Sequence, residues 1–374
     1  MSTPFLNNLT LRQIRLLIFS AILVICVLLA LHPASQQNVK SLSSHLKESI
    51  SSHPSDAAPL HSEQPSLPPA ETKHESPNKV ESEPESERIA FMTFLTGTSA
   101  YHSDPDIMND QYLQSVRIQG YQLLHHEPTK NHRHIPYVVM VTNDVPQEKR
   151  DRLTKDGLTV IPVDDIIAPE WLHSSVDRWA AVLTKLRAFQ LTQYSRILFI
   201  DCDILINTRL DEIFDEEAAQ KKPVKSTDNQ TLADMSPKSD YLLAGVPETL
   251  PNHDFPPHDD QYKNLHYLTA GFFMFSPSQE LYDYYQSIMA VPNIFDPYFP
   301  EQELLNYAHS EKSLVPWSRL SAKWNVNFAT MEDKAKGAAS MHEKWWDKGS
   351  AVHEYAISLR YLMEGFYEAR DGAS

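Results

Sequence analysis

Cysteine is almost absent: the 374 residues contain two, Cys26 and Cys202. Cys26 lies inside an apolar run, so the part of the chain that must fold has one thiol and no internal disulfide. Its hydrophobic core has to hold it together unaided. Basic residues are outnumbered, 33 against 49 acidic, for a net charge of −16. A phosphate-backbone partner needs the opposite balance, so nucleic acid is not an expected partner. Long apolar runs are missing too, with one exception. Leu16 to Leu31 carries only Ser20 as a polar residue, is closed by His32-Pro33, and follows Arg12 and Arg15 in a segment without acids. At ~1.5 Å per residue that run covers about 24 Å, short of a ~30 Å hydrocarbon core and better suited to a thin early-secretory membrane. It is too long for the apolar core of a cleaved signal peptide, and the residues around His32–Ala34 make a poor cleavage site. The expectation is an uncleaved signal anchor over 16–32, with a cytosolic tail at 1–15 and the remainder in the lumen. Aromatic residues are wholly missing from Ser35 to Arg88, where Ser, Pro, Glu and His dominate. Such a composition cannot bury enough apolar surface to offset its ordering entropy, so 33–88 reads as a disordered stalk.

What is present begins at Ile89. IAFMTFL, PYVVMVT (136–142), LTVIPVD (158–164) and RILFI (196–200) read as strands. Helical patterns separate them at Asp110–His125, Gln147–Asp156 and Arg178–Tyr194. This alternation predicts an α/β domain over 89–374, with a mainly parallel central sheet and helices on both faces. YLLAGVP (241–247) and YLTAGFFMFSP (267–277) read as further strands, and Gln279–Ala290, Gln302–His309 and Tyr355–Tyr367 as helices. Glu216–Ser239 reads as a polar surface loop carrying the sequon Asn229-Gln230-Thr231.

Ligands in such sheets bind beyond the carboxyl ends of the strands, where Asp201-Cys202-Asp203 follows the apolar run Ile197–Ile200. Strand side chains alternate, so Asp201 and Asp203 are expected on one face. Two converging carboxylates are costly unless compensated, and a hard divalent cation of the Mg or Mn type is the simplest compensation. On that reasoning Asp203→Asn should leave folding intact or slightly improved, by removing a repulsion. A D-x-D after a strand also opens the haloacid-dehalogenase-type phosphatases, with Asp259-Asp260 as an imitation of their later acidic pair. Those enzymes carry the motif on the first strand, followed by Thr or Val where Leu205 stands here. A third reading is a catalytically dead, lectin-like binder of the same fold.

The motifs together resemble the family 8, glycogenin-like glycosyltransferases, over about Ile89 to Trp346. AFMTFL with Tyr101, Thr184-Lys185-Leu186, the D-x-D, Leu210–Asp215, LTAGFFMFSPS, Glu301–Asn306 and Met341–Trp346 stand in the family's order. The anchor, stalk and tail are similar to fungal Golgi members that add N-acetylglucosamine to glycans. The resemblance implies a GT-A type fold and a Mn2+-dependent, retaining transfer of a sugar from a UDP-sugar donor to a glycan or glycoprotein acceptor. It implies Asp201, Asp203 and His342 as metal ligands, and Glu301, Gln302 and Lys185 as the residues acting on the sugar and diphosphate. Phe94, Tyr101, Lys185, Asp201, Cys202, Thr269, Gly271 and Lys344 would contact the nucleotide sugar. The chain departs from the family at three places. Thr269 stands where Asn is usual, Glu301 where Asp is usual, and Lys344 follows His342 after one residue rather than several.

Overall fold

The computed structural model describes residues 87–97, 109–172, 181–229 and 236–373. The expected tail, anchor and nearly all of the stalk lie outside these residues, as does Tyr101. Among the described residues no helix is long and apolar enough to cross a membrane.

A seven-stranded sheet forms the centre, in the order β3-β2-β1-β4-β7-β6-β8. Its strands are β1 (Ile89–Leu95), β2 (Tyr137–Thr142), β3 (Thr159–Val163), β4 (Arg196–Ile200), β6 (Leu243–Pro247), β7 (Leu268–Phe275) and β8 (Ser318–Arg319). The alternation of side chains divides each strand between two cores. Phe91, Val139, Leu198, Ile200 and Met274 face one side. Met92, Val138, Met140, Ile197, Phe199, Phe273 and Phe275 face the other. Helix α1 (Gln111–Leu124) covers the first side through Leu113, Val116 and Leu123. Helices α3 (Gln279–Met289) and α4 (Pro300–Ala308) cover the second through Leu281, Tyr285, Leu304 and Leu305. The polar helix α2 (Gln147–Lys155) follows β2.

The sheet is mainly parallel, as expected, with one reversed strand, because β7 runs antiparallel to both β4 and β6. A parallel return would need a crossover on a face of the sheet. Residues 248–267 instead stay at the carboxyl edge, so β7 starts where β4 ends. The segment expected as a helix over Arg178–Tyr194 is, among the described residues, a 3-10 helix at Val182–Gln190. Three residues per turn align Leu183, Leu186 and Phe189 in one row, all buried, and Val182 with Lys185 in another.

A second, three-stranded sheet joins β5 (Ile204–Ile206), β10 (Ser340–His342) and β9 (Val326–Asn327). Its register sets His342 opposite Ile204 on one side and Asn327 on the other. The short helix α5 (Met331–Ala335) links β9 to β10. The last helix, α6 (His353–Gly372), buries the stripe Ala356, Leu359, Met363 and Tyr367 against Ile118 and Tyr121 of α1.

Behind the sheet, His309 is wholly buried at the end of α4. The Tyr285 hydroxyl lies 2.7 Å from its Nε2, and its Nδ1 faces the Val315 carbonyl. Burial pushes its pKa from the usual 6.5 down to about 4, against the opposing pull of that carbonyl. The unfolded chain therefore takes up this proton near pH 6.5 while the folded protein waits until about pH 4. Stability is complete above pH 6.5 and falls by about 3 kcal/mol as the pH drops across that window. Urea unfolding of wild type and His309→Gln at pH 7 and pH 4.5 checks this. The variant should lose markedly less on acidification, and equal losses would contradict the assignment.

Candidate active site

Strand β4 ends at Ile200, and Asp201 to Ile204 form a tight turn in which Ile204 N donates to Asp201 O (3.1 Å). The aspartates thus converge through the turn rather than through the strand pleat. The turn is held from below by Gln119 of α1, whose Nε2 donates to both Asp201 O and Ile204 O at 2.7 Å. From the side, Asp201 N donates to Gly271 O of β7 (2.7 Å). A Cβ at position 271 would meet His342 Cε1 at 2.4 Å and Asp201 Oδ2 at 3.1 Å. Glycine is required there by close approach, and the space it leaves is occupied by the two side chains.

Asp201, Asp203 and His342 offer ligand atoms that all lie within 4.8 Å of one another. His342 Nε2 is 3.1 Å from Asp203 Oδ1, and Asn327 Nδ2 is 3.1 Å from His342 Nδ1. Burial disfavours the charged imidazole, but the Asp203 charge and hydrogen bond, with Asp201 behind, outweigh it and raise the His342 pKa. Burial likewise works against ionisation of Asp203, and the His342 charge and hydrogen bond overcome it, so its pKa is lowered. Asp201 goes the other way: burial dominates, and its pKa is raised despite Lys185.

Lys185 projects from the 3-10 helix to bridge Asp201 Oδ1 (2.8 Å) and Glu301 Oε1 (3.2 Å), over the ring of Phe199 at 5.3 Å. Burial lowers its pKa, and the two carboxylates more than reverse this, raising it above the ordinary lysine range. Glu301 occupies the first turn of α4. Gln302 beside it is clamped to β7, accepting from Ala270 N (2.8 Å) and donating to Tyr267 Oη (3.1 Å). Asn306 repeats the clamp on Leu268 N and O. The spacing of Gln302 and Asn306 is that of a helix face laid on a strand.

These groups surround one cavity of about 480 Å3. Its wall includes Phe94, Lys185, Asp201, Cys202, Asp203, Thr269, Gly271, Glu301, Gln302, His342 and Lys344. Eleven of the twelve expected site residues are therefore brought together, and Tyr101 lies outside the described residues. Lys344 stands close enough to help lower the Asp203 pKa, so its unusual spacing after His342 still delivers it to the site. Burial, then Asp203 and Asp201, push the Cys202 thiol well above its ordinary pKa, which leaves it a neutral wall residue. Trp345 belongs to the core, donating from Nε1 to Ser115 Oγ (2.8 Å). Leu210–Asp215 is a brace: Asp211 Oδ2 accepts from His132 N (2.6 Å) and Arg133 reaches Asp215 (2.9 Å).

The donor set fits a divalent cation. Two carboxylates and one imidazole are hard and borderline donors of the kind such ions take. A metal-bound imidazole nitrogen requires the other to carry its hydrogen and donate it. Asn327 has the matching acceptor in its buried Oδ1, which has no hydrogen-bond partner among the described residues. Rotation of that amide would present it to His342 Nδ1. Sequence reasoning missed Asn327, Gln119, Glu248, Thr249 and Phe328. Gln119 had a signal, being a polar residue three positions after Val116 on the helix face that meets the core.

The cavity lies at the carboxyl edge of a mixed α/β sheet, and in it an acid-acid-imidazole cluster stands beside a charged lysine. The description Glycosyl transferase family 8 matches residues 107–345. An uncharacterized protein of Schizosaccharomyces pombe is 30% identical over 288 residues, covering 70% of this chain and 73% of that one. Galactinol synthase 2 of Arabidopsis thaliana is 25% identical over 59% of this chain and 60% of its own length. Among solved structures, the galactosyltransferase LgtC with donor and acceptor sugar analogs aligns at TM-score 0.42 and 12% identity, covering 73% of this chain and 95% of that chain. The chain belongs to glycosyltransferase family 8 and is a hexosyltransferase of that family. The phosphatase alternative falls with that assignment.

Proposed function

We propose that this enzyme transfers a sugar, with N-acetylglucosamine the first candidate, from a UDP-sugar to a glycan or glycoprotein acceptor, with Mn2+ bound by Asp201, Asp203 and His342. The observation that carries this reading is the convergence of those three side chains on the cavity that also receives Lys185. Breaking the bond between sugar and diphosphate leaves negative charge on the departing UDP. A bound divalent cation supplies Lewis-acid charge to the phosphates. The nitrogen ligand favours Mn2+ over Ca2+.

The protein's own groups add to this. Lys185, its charge secured by Asp201 and Glu301, and Lys344 supply fixed positive charge to the diphosphate. Glu301 and Gln302, held by Lys185 and by the clamp on β7, would stabilise the sugar as its bond lengthens. Phe94 packs against the nucleotide. Retention of anomeric configuration and the choice of N-acetylglucosamine rest on the resemblance to fungal Golgi members.

The test is UDP release by the purified full-length chain from a panel of UDP-sugars, with Mn2+, with Ca2+ and with chelator. Turnover of one UDP-sugar should stop in chelator and return with Mn2+ more than with Ca2+. Full activity in chelator would end the metal assignment. Hydrolysis of a generic phosphoester without UDP release would end the transferase reading.

We further place the enzyme in the Golgi membrane as a single-pass type II protein with its catalytic domain lumenal. Support comes from Arg12 and Arg15 ahead of the apolar run, and from the exposed Asn229 of the sequon. Enzymatic removal of N-glycans should raise the protein's gel mobility. An unchanged band, with cleavage of the domain by protease added outside sealed membranes, would reverse the orientation.

A further inference from the structure

Phe328 conflicts with its position in two respects. The residue is 42% exposed and lines the cavity wall. Its backbone φ is 54°, the left-handed region where a bulky side chain crowds the backbone and which glycine adopts freely. The fold imposes this conformation from both sides. Asn327 is paired to His342 in the small sheet. The buried Thr249 hydroxyl clips it again, donating to Asn327 O (2.7 Å) and accepting from Asn327 N (3.1 Å). On the other side Ala329 is buried and Thr330 caps α5. The chain turns sharply between these fixed points, and the ring goes to the cavity. The same clip fixes Glu248, the residue before Thr249, which lines the same cavity while its Oε2 accepts from Lys263 Nζ at 3.4 Å. Strain retained at a position this exposed, on a cavity wall, marks a residue kept for what it touches in function.

We propose that Phe328 and Glu248 form the subsite for the acceptor, and that the acceptor group bound there is a neutral pyranose. This rests on the transferase reading. A pyranose has a C–H face that packs on an aromatic ring and a rim of hydroxyls that donate to a carboxylate. A carboxylate offers no donor to a phosphate, and an apolar group would gain nothing from it. The pair shares one cavity with the acid-imidazole cluster and Lys185, and those groups are left to the donor.

Methyl glycosides of mannose, glucose, galactose and N-acetylglucosamine serve as acceptors, with wild type, Phe328→Gly, Phe328→Tyr and Glu248→Gln in the full-length chain. Phe328→Gly should melt at or above the wild-type temperature, because glycine relieves the left-handed strain. For the best glycoside its acceptor KM should rise at least ~10-fold, while the donor KM shifts by less than ~3-fold. Phe328→Tyr should hold the acceptor KM within ~3-fold of wild type, and Glu248→Gln should raise it by roughly 5-fold. An unchanged acceptor KM in Phe328→Gly overturns the proposal, as does an equal rise in both KM values or a clear loss of melting temperature. It also falls if the wild type hydrolyses a UDP-sugar yet transfers to none of the glycosides. Failure to turn over any UDP-sugar instead overturns the transferase reading. Saturation-transfer NMR from aromatic protons to the glycosides then still judges the subsite, since the signal must be present in wild type and lost in Phe328→Gly.

Discussion

Asp203→Asn should lower kcat at least ~100-fold, the loss expected when one strong electrostatic contribution to a transition state is removed. Asparagine keeps the shape and can still accept from His342 Nε2, so geometry is retained while one negative charge leaves the cation site. Cation affinity should fall with it, and excess Mn2+ should recover part of the activity. The structure reverses the expectation drawn from the sequence for stability. Asp203 is not simply repelled by Asp201. It is 3.1 Å from His342 and its pKa is lowered by that neighbour against the cost of burial. Substitution removes a favourable pair, so the metal-free protein should lose about 1 kcal/mol rather than gain. Urea denaturation with chelator present, beside steady-state kinetics with Mn2+, reads both effects. Wild-type kcat in the variant would remove Asp203 from the chemistry.

Much of this site is legible in the sequence because its parts sit in local patterns. Ile197 to Ile200 is a buried strand by composition, and an acid pair at its carboxyl end falls where α/β sheets bind ligands. Lys185 stands among Val182, Leu183 and Leu186, so an ammonium there has to find partners. The direction of β7 is not legible. LTAGFFMF is apolar on both faces, and a strand buried on both faces reads the same in either direction. That reversal carries Gly271 to Asp201. The convergence of Asp201 with Asp203 was expected for the wrong reason, since a hydrogen-bonded turn rather than strand alternation achieves it. Asn327, Thr249 and Phe328 carry no periodic signal. Their roles come from the pairing of β9 with β10 and from one buried hydroxyl, and both are long-range consequences of the fold.

Lys185→Met should be the most damaging single change to both stability and rate. The lysine lies between Asp201 and Glu301 at 2.8 and 3.2 Å, and all three side chains are largely withdrawn from solvent. Methionine fills most of the volume but leaves Asp201 and Glu301 without the ammonium that joined them. Breaking a withdrawn ion pair by removing one partner costs about 3 kcal/mol or more. Asp201, whose pKa burial already raises, would hold its proton still more tightly when folded than when unfolded. The added destabilisation should therefore be greatest at neutral pH and shrink as the pH falls towards 5. Glu301→Gln in the Lys185→Met background removes one of the stranded charges and should restore a substantial part of the loss. Neither effect would follow if Lys185 were only a packing residue. Turnover should fall at least ~100-fold, because the group lost carries fixed charge to the diphosphate, and Glu301→Gln should not bring it back. Double-mutant cycles on unfolding free energy and on kcat separate the two roles. Recovery of rate along with stability would make Lys185 a structural residue, and additive stability losses would mean that the ion-pair triad does not act as a unit.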